Sequence, residues 1–299
     1  MTNNRGEAAK GSAAIGFAAI LWGFDGVVLT PRLWGLDVGY VVFMLHFIPF
    51  VLMNIFLFRQ YRQLKNFVRQ DYISVFLVSL FGGAVGTIAI VKALFLVNFQ
   101  NLSVVVLLQK LQPIFAILLA AVLLKEKPGK NFVLWATVAI VASYFLTFGF
   151  HLPDVSREKN TVYAALLALL AAFSFGSSTV FSKQVLLNHN FVTATFFRYG
   201  FTTLIMLVYV IVSGKLTQLA VTDGKHWLYF VIIGFTTGSG AIFIYYYGLR
   251  RVKAMVATIS ELLFPVSAIF FDYIVNGNIL SPVQLASAVV MIFALIKLN

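Results

Sequence analysis

Long apolar runs separated by short polar breaks cover the chain from end to end. Ten runs of roughly 18–25 residues stand out, each long enough to cross the ~30 Å hydrocarbon layer of a bilayer as a helix. They lie near residues 12–30, 38–58, 72–95, 102–124, 131–149, 161–183, 190–213, 226–247, 254–275 and 281–297. The longest break, residues 150–160 (FHLPDVSREKN), falls at the middle of the chain. The pattern predicts an all-α integral membrane protein of ten transmembrane helices.

The two halves repeat. Residues 82–126 align without a gap on residues 234–278, at a constant offset that pairs Gly82 with Gly234, Gly86 with Gly238, Leu111 with Leu263 and Pro113 with Pro265. The register continues through Ala136 with Ala288 and Ala142 with Ala294. Such a period marks a duplication. The expected organisation is a five-helix repeat over residues 1–150, a linker over 151–160 and a second five-helix repeat over 161–299. Five is odd, so the second repeat enters the membrane upside down.

Composition narrows the class. Hydrophobic residues make up 61% and charged residues 11% of the 299, against about 25% charge in soluble proteins. With no cysteine, disulfides and thiolate metal sites are excluded. The net charge of +12 does not point to nucleic acid, because the basic residues sit between the runs. With the N-terminus placed in the cytoplasm, fourteen of the 22 Lys and Arg fall on the inner side, five on the outer side and three within spans. This is the excess that orients membrane proteins, and it predicts that both termini are cytoplasmic. Equivalent loops carry opposite charge habits: residues 97–101 hold no Lys or Arg, while residues 249–253 hold three. Arg5 and Lys10 before the first run resemble a secretory leader. That run lacks a small-residue cleavage site and has a second-half counterpart at Gly23 and Gly176, so it is expected to be a span.

These features, together with WGFDGV near the start, the glycine-rich third and eighth spans, and the segments VVVLLQKLQPIFAILLAAVLLKE and VATISELLFPVSAIFFDYIVNGN, resemble the drug/metabolite transporter superfamily, in its ten-helix branch with two EamA-type domains. The resemblance covers nearly the whole chain. It implies a central cavity lined by spans 1, 3, 4, 6, 8 and 9, with spans 5 and 10 peripheral, and alternating access by rocking of the 3–4 and 8–9 pairs. Glu126 matches the acidic residue the family often places after the proline helix; Asn278 stands at its second-half equivalent.

Polar residues inside spans locate candidate chemistry, since a charge at the centre of a membrane helix costs about 2.5–3.5 kcal/mol on insertion scales and normally faces a cavity or a partner. The candidates for substrate binding are Lys110, Glu261, Asp25, Trp22, Gln109, Lys92 and Tyr245. Arg198 and His46 stand at equivalent positions of spans 7 and 2. Lys110 and Glu261 lead because each lies on a helix with a proline, Pro113 or Pro265, that removes a backbone donor and permits a kink. The bland alternatives are structural ion pairs (Asp25 with Lys110, Arg198 with Glu261) and, for Lys92, snorkelling to headgroups. Of Tyr245, Tyr246 and Tyr247, successive residues diverge by about 100°, so all three cannot face one cavity; an interfacial belt is the competing reading. Gly82-x-x-x-Gly86 and Gly234-x-x-x-Gly238 are read as helix-packing surfaces.

No P-loop, zincin motif, nucleophile elbow or metal-ligand cluster is present in the sequence, so no catalytic residue, metal or cofactor is expected. The inverted repeat with midplane charges predicts a secondary transporter with its site between the repeats. Mixed charge suggests export of amino acids or related small metabolites, with a coupling proton at Glu261, and the family resemblance and the size imply the cell inner membrane. Export of drugs or organic cations is the alternative, followed by exchange of phosphorylated anions or a non-transporting membrane protein.

Overall fold

The structure, a computed structural model, describes residues 2–96, 105, 108–152, 159–277, 279 and 281–298. Most of the predicted linker, the start of the fourth predicted span and Asn278 lie outside the described residues. Among the described residues, all regular structure is helical. Ten segments follow one another: α1 (Gly6–Leu33), α2 (Val38–Asn66), α3 (Arg69–Ala93), α4 (Gln112–Leu123), α5 (Phe132–Phe148), α6 (Val162–Asn188), α7 (Phe191–Val212), α8 (Gly224–Leu249), α9 (Ala254–Asn276) and α10 (Pro282–Leu298). Seven are long and apolar enough to cross a membrane, and α4, α5 and α10 are shorter. At about 1.5 Å per residue, the 17 residues of α5 or α10 still extend roughly 26 Å.

Local chemistry sets the boundaries. Asp37 caps α2 by accepting from the backbone nitrogens of Gly39 and Tyr40, Asn190 caps α7 through Thr193, and Asp223 caps α8 through His226. Gly214 (φ +67°) and Gly277 (φ +72°) follow the ends of α7 and α9, where a left-handed residue closes a helix.

Four of the interruptions lie where the halves correspond. Both proline helices break one turn ahead of their proline: α4 begins after a turn at Lys110–Leu111, and α9 loses α-helical form at Glu261–Leu262. Pro265 cannot donate to Glu261, whose carbonyl instead accepts from Phe264 N at 2.9 Å. In α3 and α8 the paired glycines mark wide turns: Gly82 lies within Ser79–Val85 with Gly86 just after it, and Gly234 and Gly238 bound Gly234–Gly238. A third wide turn, Asp25–Leu29, lies in α1. The widening explains the second glycine of each pair. A Cβ on Gly86 would stand 2.7 Å from the carbonyl oxygen of Phe81, and one on Gly238 2.9 Å from that of Ile233. These glycines clear their own helix as well as admitting a neighbour.

Packing pairs the halves. α1 lies against α8 and α9, while α6 lies against α3 and α4; α2 packs on α7, α4 on α9 and α5 on α10. Exchanging the two halves maps this set of contacts onto itself. Gly23 in α1 faces Ser267 and Ala268 of α9, and Gly176 in α6 faces Gln112 and Ala116 of α4; Ala116 and Ala268 are equivalent in the repeat. The outer faces carry exposed apolar side chains such as Phe56, Val122, Val208 and Val289, more apolar surface than a water-soluble fold leaves uncovered.

Candidate substrate site

The helix interruptions converge on a cavity of about 350 Å³, within the size range of small-molecule sites. Trp22 and Asp25 enter from α1, His46 from α2, Gly82 and Thr87 from α3, Gln112 from α4, Ser178 and Thr179 from α6, Arg198 from α7, Thr237 and Tyr245 from α8 and Glu261 from α9, with Gln109 just ahead of α4.

Glu261 is the better connected of the two carboxylates that line the cavity. Its Oε1 accepts from Tyr245 Oη at 2.6 Å and Thr179 Oγ1 at 3.3 Å, and its Oε2 accepts from Gln112 Nε2 at 2.8 Å. One side chain thereby ties α9 to α8, α6 and α4. The break ahead of Pro265 is what turns this residue out of regular helix at the meeting point. Asp25 starts the wide turn of α1 and accepts from Thr30 Oγ1 at 2.9 Å and Thr237 Oγ1 at 3.0 Å. Both acids are therefore held by neutral donors. The ring of Trp22 stands 5.4 Å from that of Tyr245, and the ring of His46 stands 5.1 Å from that of Tyr199. His46 Nδ1 lies 2.8 Å from the carbonyl oxygen of Val42.

Of the seven candidate binding residues, Trp22, Asp25, Gln109, Tyr245 and Glu261 line this cavity. Lys110 does not. Its Nζ donates to Ser143 Oγ of α5 at 2.8 Å, and the side chain lines a neighbouring cavity of about 330 Å³ with Pro113, Thr258 and Pro265. Gln109, Gln112, Glu261 and Phe264 form the wall common to both cavities. Lys92 is exposed on α3, away from either. Gly82 and Gly238 line the central cavity, where a Cβ on Gly82 would run into Ser178. Gly234 packs on Pro49. Among the described residues the ion pairs are elsewhere, at Glu7, Asp37, Asp71 and Asp223; neither Asp25–Lys110 nor Arg198–Glu261 is formed. The tyrosine run divides its work: Tyr245 faces the cavity, Tyr246 is buried against Ser182 and Arg198, and Tyr247 carries the Arg251 guanidinium 3.5 Å above its ring.

Thr179, Ser178 and Thr237 carry no signal in the sequence, because small hydroxyl residues in a membrane span serve packing as often as binding. Among the described residues no group of His, Asp and Glu is placed to hold a metal. Glu126 lies at one end of the molecule, where Oε1 accepts from the backbone nitrogen of Ala254 at 2.8 Å and Oε2 from that of Met255 at 3.1 Å. It caps the first turn of α9 from the end of α4.

A multi-pass bundle of apolar helices around a central cavity with a few polar and charged side chains is the architecture of a membrane transporter, and known proteins agree. A model described as the EamA-like transporter family matches residues 9–148 and again residues 162–299, so the chain belongs to the EamA-like transporter family. It is 51% identical over 291 residues to a protein from Fusobacterium nucleatum subsp. nucleatum (strain ATCC 23726 / VPI 4351) named "Riboflavin transporter ImpX", with 97% of each chain covered. A solved structure titled only "Crystal structure of protein" superposes with a TM-score of 0.68 over 95% of this chain and 94% of its own, at 19% identity. That likeness concerns the fold alone. The chain is a multi-pass membrane transporter.

Proposed function

We propose that this transporter carries riboflavin, or a flavin closely similar to it, by alternating access. The observation that carries the reading is the 51% identity, end to end, to a relative named for riboflavin transport. The chemistry of the cavity supports it. Riboflavin is a neutral molecule with a broad planar ring and a polyhydroxyl tail. Trp22, Tyr245, Phe175 and Phe264 offer ring faces, and Gln109, Gln112, Thr87 and Ser178 offer hydrogen bonds, around about 350 Å³. Such a cavity buries a flat aromatic ligand and orients it with a few polar contacts.

Amino-acid export, the substrate expected from mixed charge, asks for a cation and an acid in one cavity. Lys110 is turned toward Ser143, which weakens that version. Arg198 and Glu261 do line one cavity, and this keeps a zwitterion as the second reading. Organic cations have Glu261 and the ring faces to recommend them, but they share the cavity with Arg198.

The mechanism we propose follows from the swapped packing pairs. The repeats are inverted, and α3–α4 and α8–α9 rock about the fixed site, with a cytoplasmic membrane and both termini inside as the setting. Coupling to a proton at Glu261 belongs to the same proposal. Calorimetric binding to the purified protein tests the substrate. Riboflavin binding that amino acids and organic cations do not displace supports the reading. Binding of an amino acid with none of riboflavin overturns it.

A further inference from the structure

The central cavity holds a basic side chain that forms no ion pair among the described residues. Arg198, in the middle of α7, is 9% exposed, and no carboxylate lies within ion-pair distance of it among the described residues. Its Nη1 donates to Tyr246 Oη at 3.0 Å, and that hydroxyl also meets Ser182 Oγ at 2.7 Å. The guanidinium stands 5.6 Å from the Tyr246 ring centroid. Its Nε is buried and has no hydrogen-bond partner. Its Nη2 lies beside Gly82, 3.3 Å from where a Cβ on that residue would stand. Glycine at position 82 leaves the guanidinium room on the side of the cavity that both residues line.

A buried guanidinium outside ion-pair distance of any described acid, and with a donor unused, is costly. A single hydroxyl and a ring face satisfy it only in part. The donor fork suits a planar acceptor edge. Asp25 and Glu261 line the same cavity, so a strongly anionic ligand would meet two acids there, whereas a neutral ring with adjacent acceptors would meet none of that repulsion.

We infer that Arg198 is a specificity-determining binding residue, which donates to the acceptor edge of a neutral heteroaromatic substrate while Trp22 and Tyr245 take the face of its ring. This rests on the riboflavin reading. In a flavin, the acceptor edge is N1 with the adjacent C2 carbonyl.

The test compares riboflavin with 1-deazariboflavin, which keeps the shape and removes the N1 acceptor. Binding of each is measured by calorimetry to the full chain in lipid nanodiscs. A hydrogen bond from a charged donor corresponds to roughly ten- to a hundredfold in affinity, so the wild type should prefer riboflavin by that factor. Arg198→Gln should weaken riboflavin severalfold more than the deaza compound, which loses only the contact at its C2 carbonyl. An equal loss for both ligands would mean that Arg198 only supports the fold, and the inference falls. Wild-type protein that binds riboflavin with no preference overturns the inference and leaves the riboflavin reading standing. Wild-type protein that binds neither overturns both. If Arg198→Gln does not fold, the wild-type preference and Arg198→Lys, which keeps the charge but loses the fork, decide in its place.

Discussion

At the scale of single residues, Glu261 is the side chain on which most depends. Its two oxygens hold three donors from three other helices. Removing the acceptor leaves those donors unsatisfied, at about 1–3 kcal/mol for each buried one. Glu261→Ala should therefore lower the melting temperature in detergent clearly more than Glu261→Gln, which keeps one acceptor in place. An equal drop would mean that the network contributes little. The same glutamine variant separates binding from coupling. If Glu261 carries the coupling proton, Glu261→Gln retains substrate exchange and loses transport driven by a pH gradient; driven transport that survives in liposomes contradicts the role. The sequence made the intramembrane charges visible, and five of the seven expected binding residues line the central cavity. It could not say which way each long side chain turns. Lys110 and Gln109 are neighbours, yet one reaches Ser143 on a peripheral helix and the other lines the centre. A residue's direction depends on the helix break beside it, and the break has no fixed direction until α5 and α9 pack around it.

At the scale of elements, the proline breaks were legible because the missing donor of a proline has one consequence wherever it occurs. The wide turns were not. A Gly-x-x-x-Gly pattern reads the same whether it lets a neighbouring helix approach or clears the helix's own carbonyl, and at Gly86 and Gly238 it clears Phe81 and Ile233. The close crossings at Gly23 and Gly176 give a matched pair of tests. A Cβ at Gly23 would stand 2.7 Å from the backbone nitrogen of Ala268, and one at Gly176 2.8 Å from the carbonyl oxygen of Gln112. Overpacking of this kind costs about 1–3 kcal/mol, so Gly23→Ala and Gly176→Ala should each lower thermal stability by a similar amount. A neutral effect at either would show that its crossing is loose. Glu126 works across elements too. It caps α9 from the end of α4, and losing a cap costs about 0.5–2 kcal/mol. Glu126→Ala should loosen this end of the bundle, seen as faster hydrogen exchange at Ala254 and Met255. Unchanged exchange there would remove the cap from the account.

At the scale of the whole molecule, the duplication in the sequence reappears as a set of helix contacts that is unchanged when the halves are exchanged. Ten apolar runs become ten helical segments among the described residues. The substrate was the least legible feature, because charges within spans do not distinguish a zwitterion from a neutral ring held by donors. Orientation can be tested cleanly, since the chain has no cysteine. A single cysteine at Lys65 should be shielded from an impermeant maleimide in intact cells, and one at Lys225 should be labelled; the reverse pattern contradicts cytoplasmic termini. The central claim, that the cavity between the two halves transports a flavin, is tested most directly by counterflow in proteoliposomes loaded with unlabelled riboflavin. The account predicts transient accumulation of labelled riboflavin that Trp22→Ala or Glu261→Ala abolishes while both variants remain folded. No accumulation in the wild type, or accumulation that both cavity variants leave intact, would contradict it.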